Sequence, residues 1–318
     1  MATVITPSVL EAIFTGFNFC FADAYAKAPT QWEKVAMKVP SNTSEEHYGW
    51  LSQSPQMREW IGDRVVETLQ LYGYAIKNRK YESTIGVSRE QIEDDRYGIF
   101  GNIFRNMGRE TRLHPDRLIF DLLSQGFTTP CYDGQNFFDT AHPIADKDGR
   151  DGFASNFAPG NGSPWYLFDT TQAVKALIFQ ERVPYDFKAI TDGADAHVFL
   201  RDEYLYGVRA RVNVGFGLWQ MAYASKEDLD EVAYGNARSR MMQLRGDRGQ
   251  LLGVTPNLLV VGPSNEARAR HLLKATSVST PNTQNGIPVG NTSFVFTGGG
   301  ISNIWHESAE LVVTPFLP

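Results

Sequence analysis

The chain has 318 residues, 42% of them hydrophobic and 21% charged, with a formal net charge of −6. Such a composition belongs to a globular protein long enough for about two domains, and it excludes a disordered or fibrous chain. The net acidity argues against a sequence-reading nucleic-acid binder, and two cysteines, Cys20 and Cys131, are too few for a disulfide framework, which points to a reducing compartment. Ala22, Ala24 and Ala26 mimic a leader cleavage site. No positive charge precedes that apolar run, however, and Glu11 interrupts it, so no signal peptide is expected. No apolar run reaches membrane-spanning length, and a soluble intracellular protein is expected.

Thr6 and Pro7 suit an N-cap and first helical position, after which Leu10, Ile13, Phe14, Phe17 and Phe21 trace one apolar stripe of a short amphipathic helix. That stripe packs either on its own domain or on a neighbouring subunit. Residues 28–46 read as an extended arm containing a strand, with Val35, Met37 and Val39 alternating. Strand-like runs follow around Tyr48 to Leu51, Arg64 to Leu71 and Tyr74 to Val87, separated by Pro55 and Gly73 and carrying Trp50 and Trp60. A two-stranded ribbon is marginal in water, so this one needs a surface to lie on.

Ser88 and Gln91 stand three apart, a capping box that starts a helix. From Tyr97 the period is helical: Ile99, Phe100, Ile103, Phe104 and Met107 share one arc, while Arg105, Arg109 and Arg112 share the opposite one. Leu118, Ile119, Leu122 and Leu123 continue the pattern past Pro115, where a kink or restart is expected, and Gly126 stops it. Residues 128–164 are rich in Gly, Asp, Asn and Pro and read as loop and domain boundary. Strands are expected at Ile178–Phe179, His197 to Leu200, Tyr204 to Val214 and Leu218 to Tyr223. A helix is expected over Lys226 to Leu244, starting at Ser225. Further on come a buried strand at Leu258 to Val261, a helix capped by Ser264 and running through Leu273, loops over 276–300, and a last strand at Glu310 to Thr314.

The chemistry-bearing motifs are few. Cys131, Asp133, Asp139 and His142 invite a Cys131/His142 hydrolase reading, against the plainer one of a turn-rich loop with local backbone bonds. Asp146, Asp148 and Asp151 do not match a calcium loop, because Arg150 and Phe157 occupy positions that need oxygen ligands. His306-Glu307 lacks a second zincin histidine, no Gly-Lys dipeptide supports a Walker loop, and Glu266 stands where a nucleophile elbow needs glycine. No catalytic, cofactor or metal site is expected. The Arg105, Arg109, Arg112 stripe is either a solvated helix face or a weak, sequence-independent contact for a polyanion.

The strings YGWLSQSPQMREWIGDR at 48–64, GVSREQIEDDRYGIF at 86–100, PCYDGQNFFDTAHP at 130–143, LIFQER at 177–182 and GFGLWQMA at 215–222 stand out along the chain. In them the chain resembles the major head proteins of Mu-like tailed bacteriophages. The resemblance implies an α+β fold of the Hong Kong 97 capsid type: an N-terminal arm (1–45), an extended β-loop (46–85), a peripheral domain (86–163) with a spine helix at about 96–125, a β-rich segment and axial domain (164–300), and a C-terminal strand (301–318) returning to the peripheral domain. It further implies a structural protein, not an enzyme, whose copies build hexamers and pentamers of an icosahedral shell around double-stranded DNA. Scaffold protein, portal and decoration or minor capsid proteins would be partners, no membrane would be involved, and assembly would take place in the bacterial host cytoplasm. Trp50 and Trp60 are candidate inter-subunit contacts, and Arg105, Arg109 and Arg112 a candidate inner-surface stripe. A cargo-enclosing, encapsulin-like shell is the same-fold alternative.

Overall fold

The computed structural model describes residues 7–49, 73–93, 98–145, 151–246, 249–278, 283–284, 287–288 and 301–318. The chain forms two compact units, one of Met1–Leu123 with Leu177–Phe216, the other of Ser124–Ala176 with Gly217–Pro318.

The first unit is built on a four-stranded sheet in the order Ala36–Pro40, Leu177–Ile190, Glu203–Phe216, Arg79–Ser88. The two 14-residue strands form an antiparallel hairpin, Arg79–Ser88 adds antiparallel to its second strand, and Ala36–Pro40 adds parallel to its first. Period-two alternation sorts the faces: Tyr204, Tyr206, Val208, Ala210 and Val212 are buried, and the residues between them are not. Onto this face pack the helix Pro7–Lys27 and the long helix Ile99–Gln125. Phe104 sits at the centre, stacked on Phe17 at 4.5 Å and edge-on to Tyr206 at 4.7 Å, while Phe21 stacks on Phe187 at 4.3 Å. The apolar stripe of the first helix thus packs within its own unit. Thr6, its expected cap, lies outside the described residues.

The capping box forms reciprocally. The Ser88 amide donates to Gln91 Oε1 at 3.2 Å and the Gln91 amide to Ser88 Oγ at 3.3 Å, opening the short helix Arg89–Glu93. The long helix ends at Gln125, directly before Gly126, and it continues through Pro115 without a restart. Proline deletes the bond to the Thr111 carbonyl, and buried residues on both flanks, Met107, Thr111, Ile119 and Phe120, keep the element in place. The strand expected at His197 to Leu200 is instead the helix Ala196–Arg201. Asp195 caps it by accepting from the His197 amide at 2.8 Å, and Asp202, at φ 51°, closes it. The segment joins two strands of a hairpin, so its β-prone side chains have no ladder to enter, and only Val198 is buried.

The second unit holds a five-stranded sheet in the order Glu310–Val313, Leu258–Val261, Trp165–Phe168, Ala222–Ser225, Phe157–Ala158. Its three inner strands are buried at every position, which is why Trp165–Phe168 and Leu258–Val261 read as apolar runs without alternation. Helices Glu231–Met242 and Glu266–Lys274 belong to this unit. The first starts later than expected. Ser225 is held in the sheet opposite Trp165, and Asp230 provides the cap, accepting from the Ala233 amide at 2.7 Å. Ser264 is not a cap either: it lies in the 3-10 turn Pro263–Asn265, and its hydroxyl donates to the Pro318 carbonyl at 3.0 Å. The last strand pairs in parallel with Leu258–Val261 inside this unit rather than returning to the sheet of the long helix. It is the hairpin Leu177–Phe216, read as part of a continuous segment over 164–300, that belongs with the long helix. Among the described residues no helix is long and apolar enough to cross a membrane.

Candidate functional site

Three features stand out: the base of the ribbon, the long helix, and a buried polar cluster. At the ribbon's base, Glu45–His47 pairs antiparallel with Ala75–Lys77. The pair is fixed to the sheet by Gln180, which is fully buried. Gln180 Oε1 accepts from the Tyr48 hydroxyl at 2.7 Å, and its Nε2 donates to the Ile76 carbonyl at 3.0 Å and to Asn78 Oδ1 at 2.9 Å. Burial pushes the Tyr48 hydroxyl pKa well up, so it stays a donor. Tyr74 completes the anchorage, its hydroxyl accepting from the Phe216 amide at 2.8 Å. A Cβ on Gly215 would lie 2.2 Å from Ile76 Cδ1, so the ribbon and the sheet meet at a residue that has no side chain. Trp50, Trp60 and the rest of residues 50–72 lie outside the described residues.

Glu46 organises the turn before the ribbon. Its Oε1 accepts from the amides of Asn42 (2.8 Å) and Thr43 (3.1 Å) and from the hydroxyls of Ser41 and Thr43 (both 3.0 Å). These bonds, led by the Asn42 amide, hold its carboxyl down to about 2. A depressed carboxylate stabilises the fold above its unfolded pKa, and the contribution disappears as pH falls from about 4.5 toward about 2. Glu46→Gln is therefore expected to quicken protease cleavage in residues 41–47 at neutral pH, with the difference from wild type vanishing as the pH approaches 2 in an acid-stable protease assay. A difference that persists unchanged at that pH would refute the assignment.

On the long helix, Arg105 and Arg109 are exposed, Arg105 donating to Asn102 Oδ1 at 2.9 Å. Arg112 is drawn inward, 3.8 Å from the Glu33 carboxylate and 5.6 Å over the Tyr25 ring. One turn on, the buried Asp116 does what no motif announced. Its Oδ1 accepts from the amides of Gln31 at 3.1 Å and Trp32 at 2.9 Å, fastening the arm to the helix. Burial raises its pKa, against the lowering effect of those two amides. The legible sign was only a carboxylate on a helix position one step past a proline. Gln180 had a clearer one: a polar side chain directly after the apolar run Leu177–Phe179.

In the second unit Cys131, Asp133 and His142 come together, with ligand atoms within 4.8 Å of one another. Cys131 and Asp133 sit on one tight turn. The Cys131 amide donates to the Gln135 carbonyl at 2.8 Å, and Gly134, at φ 86°, donates to the Cys131 carbonyl at 3.2 Å. Asp133 stands between the other two: its Oδ1 is 3.1 Å from the Cys131 thiol and its Oδ2 is 2.7 Å from His142 Nδ1. His142 Nε2 faces Asn156 Oδ1 at 3.2 Å, and the ring stacks on Trp219 at 4.0 Å. Burial, then the charge of Asp133, push the Cys131 thiol pKa far up, opposite to what a cysteine nucleophile needs. Both ring nitrogens are engaged by oxygen acceptors, so the geometry disfavours the Cys131/His142 hydrolase.

The comparisons agree with a structural role. The family profile described as "Mu-like prophage major head subunit gpT" matches residues 10–317. The major capsid protein of Escherichia phage Mu is 41% identical over 286 residues, covering 88% of this chain and 94% of that protein. Among solved structures, the procapsid of bacteriophage JBD30 is similar with a TM-score of 0.77 at 40% identity, covering 98% of this chain and 100% of that one. The JBD30 capsid decorated with minor capsid protein trimers is similar with a TM-score of 0.71 at 28% identity, over 99% of this chain and 100% of that one. A ribbon anchored at its base and a long helix packed on a sheet match that kinship, and the chain belongs to the Mu-like major head subunit family: a tailed-phage major capsid protein of the Hong Kong 97-type fold, a structural subunit.

Proposed function

We propose that copies of this chain form hexamers and pentamers that close into an icosahedral shell around double-stranded DNA, assembled in the cytoplasm of a bacterial host. The observation that carries this reading is the similarity to a procapsid subunit over 98% of the chain. The first unit acts as the peripheral domain, with Ile99–Gln125 as its spine, and the second as the axial domain. Heterologous contacts between copies generate closed rings, and the ribbon of residues 46–85 reaches across a neighbour, which supplies the surface a lone two-stranded ribbon lacks. The anchorage of its base by Gln180 and Tyr74 supports that role, because it sets the direction in which the ribbon leaves its own unit. Scaffold protein and portal take part in assembly, and minor capsid proteins decorate the finished shell, as in the decorated JBD30 capsid. Exposed Arg105 and Arg109 face the DNA weakly and without sequence preference, in keeping with the net acidity of the chain.

Electron microscopy of particles purified from lysate tests this. DNA-filled closed shells, or rings of five and six, are the expected result; closed shells holding protein and no DNA would favour the cargo-enclosing alternative. A 35.6 kDa monomer that persists even with scaffold protein present would overturn the assembly reading. On the ribbon, Trp50→Ala and Trp60→Ala should each cut particle yield at least tenfold, the effect of losing about 1.4 kcal/mol or more of contact energy per copy. Circular dichroism of the unassembled variant should match wild type. An equal loss of secondary structure would show that the tryptophans serve folding instead.

A further inference from the structure

We propose that Cys131, Asp133 and His142 bind a borderline-soft divalent cation of the zinc class, with Asn156 holding the imidazole from behind. The orientation of Asn156 is fixed by its own partners. Its Nδ2 donates to the carbonyls of Phe137 at 2.8 Å and Trp219 at 3.3 Å, and its Oδ1 accepts from the Asp139 amide at 3.0 Å. That oxygen therefore points at His142 Nε2 and accepts a hydrogen bond from it. Nδ1 is then the nitrogen left to act, and it faces the Asp133 carboxylate, with the Cys131 sulfur on the other carboxylate oxygen. A metal-binding histidine whose second ring nitrogen donates to a protein oxygen has this arrangement, and such a partner sets both ring orientation and tautomer. The stacked Trp219 walls the ring on one face.

As ligands, a thiolate (−1), a carboxylate (−1) and a neutral imidazole balance a divalent cation (+2) to a sum of zero in a buried site, and the protons displaced from the ligand atoms go to solvent. One sulfur, one nitrogen and a carboxylate form a donor set for zinc or cobalt, whereas calcium and magnesium call for oxygens alone. The ligands are placed beforehand: two lie on the turn closed by Gly134, and the third begins the strand His142–Ala145.

Cobalt(II) titrated into the metal-stripped full chain is the test. The expected result is a thiolate-to-cobalt charge-transfer band that saturates at one cobalt per chain and is displaced by zinc. It should survive Cys20→Ser, which leaves Cys131 as the lone thiol, and disappear in Cys131→Ser. Because the second variant could fail to fold, the Cys20→Ser result assigns the thiol by itself. Absence of the band in the folded wild-type chain at saturating cobalt, or its loss in folded Cys20→Ser, would overturn the proposal. So would zinc that remains substoichiometric by elemental analysis after equilibration with excess zinc and gel filtration.

Discussion

Gly108→Val is expected to destabilise the unassembled chain by about 3 kcal/mol or more, the upper end of what overpacking costs. A Cβ at this position would lie 2.3 Å from the carbonyl oxygen of Phe21, so the obstacle is the backbone of the helix Pro7–Lys27 and not a side chain that could turn away. That helix cannot retreat cheaply, because Phe21 itself and Phe17, one turn earlier, are stacked into the aromatic core. Gly108→Ala sharpens the test. At an exposed helix position alanine gains about 1 kcal/mol over glycine, whereas here a net loss is expected despite that gain. Urea unfolding of both variants measures the effect, and proteolysis within residues 7–27 reports whether the first helix has lifted off. Wild-type stability in Gly108→Val would mean that the two helices do not approach as closely as 2.3 Å implies.

The second large effect is expected at Asp116. Asp116→Ala removes the shared acceptor of the Gln31 and Trp32 amides and leaves one donor in a buried place and one in a partly buried place. A buried donor without a partner costs about 1–3 kcal/mol, so the Trp32 amide alone sets a loss of about 1–3 kcal/mol, to which the partly buried Gln31 amide adds. Asp116→Asn keeps an acceptor oxygen and should lose far less. The two carboxamide and carboxylate forms also differ in their response to pH. Since burial raises the Asp116 pKa, the folded state holds its proton more tightly than the unfolded state does. The stability contribution of Asp116 is therefore largest below its unfolded pKa, and it declines as pH rises through the folded one. Wild type measured against Asp116→Asn should thus gain stability as the pH is lowered from neutral toward 4, the approximate unfolded value. A difference that grows with rising pH would show that the amides, not burial, dominate.

Features governed by neighbours a few residues away were legible. The Ser88–Gln91 box formed as the spacing required, the long helix stopped before Gly126, and the all-apolar run Leu258–Val261 became a buried strand. Where such local signals competed, the contest was settled elsewhere in the chain. Val198, Phe199 and Leu200 favour a strand, yet the segment lies between two strands that already pair with each other, and the Asp195 cap makes it a helix. Ser225 and Asp230 are both acceptable caps, and the sheet claimed Ser225.

The kinship to capsid subunits was also legible, because it rests on motif strings spread along the chain, such as PCYDGQNFFDTAHP. The polar anchors were not. Gln180 meets Tyr48 across 132 positions and Asp116 meets Trp32 across 84, and no periodicity or spacing rule connects residues so far apart. The cluster of Cys131, Asp133 and His142 is short in sequence, but its meaning depends on Asn156 and on Trp219, which the 3-10 turn Trp219–Met221 brings against the ring. By itself the sequence determined where helices and strands begin and end when their caps and apolar periods lie within one or two turns, since those free energies are local. Only the tertiary structure decided which unit the hairpin Leu177–Phe216 joins, where the last strand pairs, and which buried polar groups satisfy one another, because burial charges each unpaired donor or acceptor a cost that depends on partners supplied by distant segments.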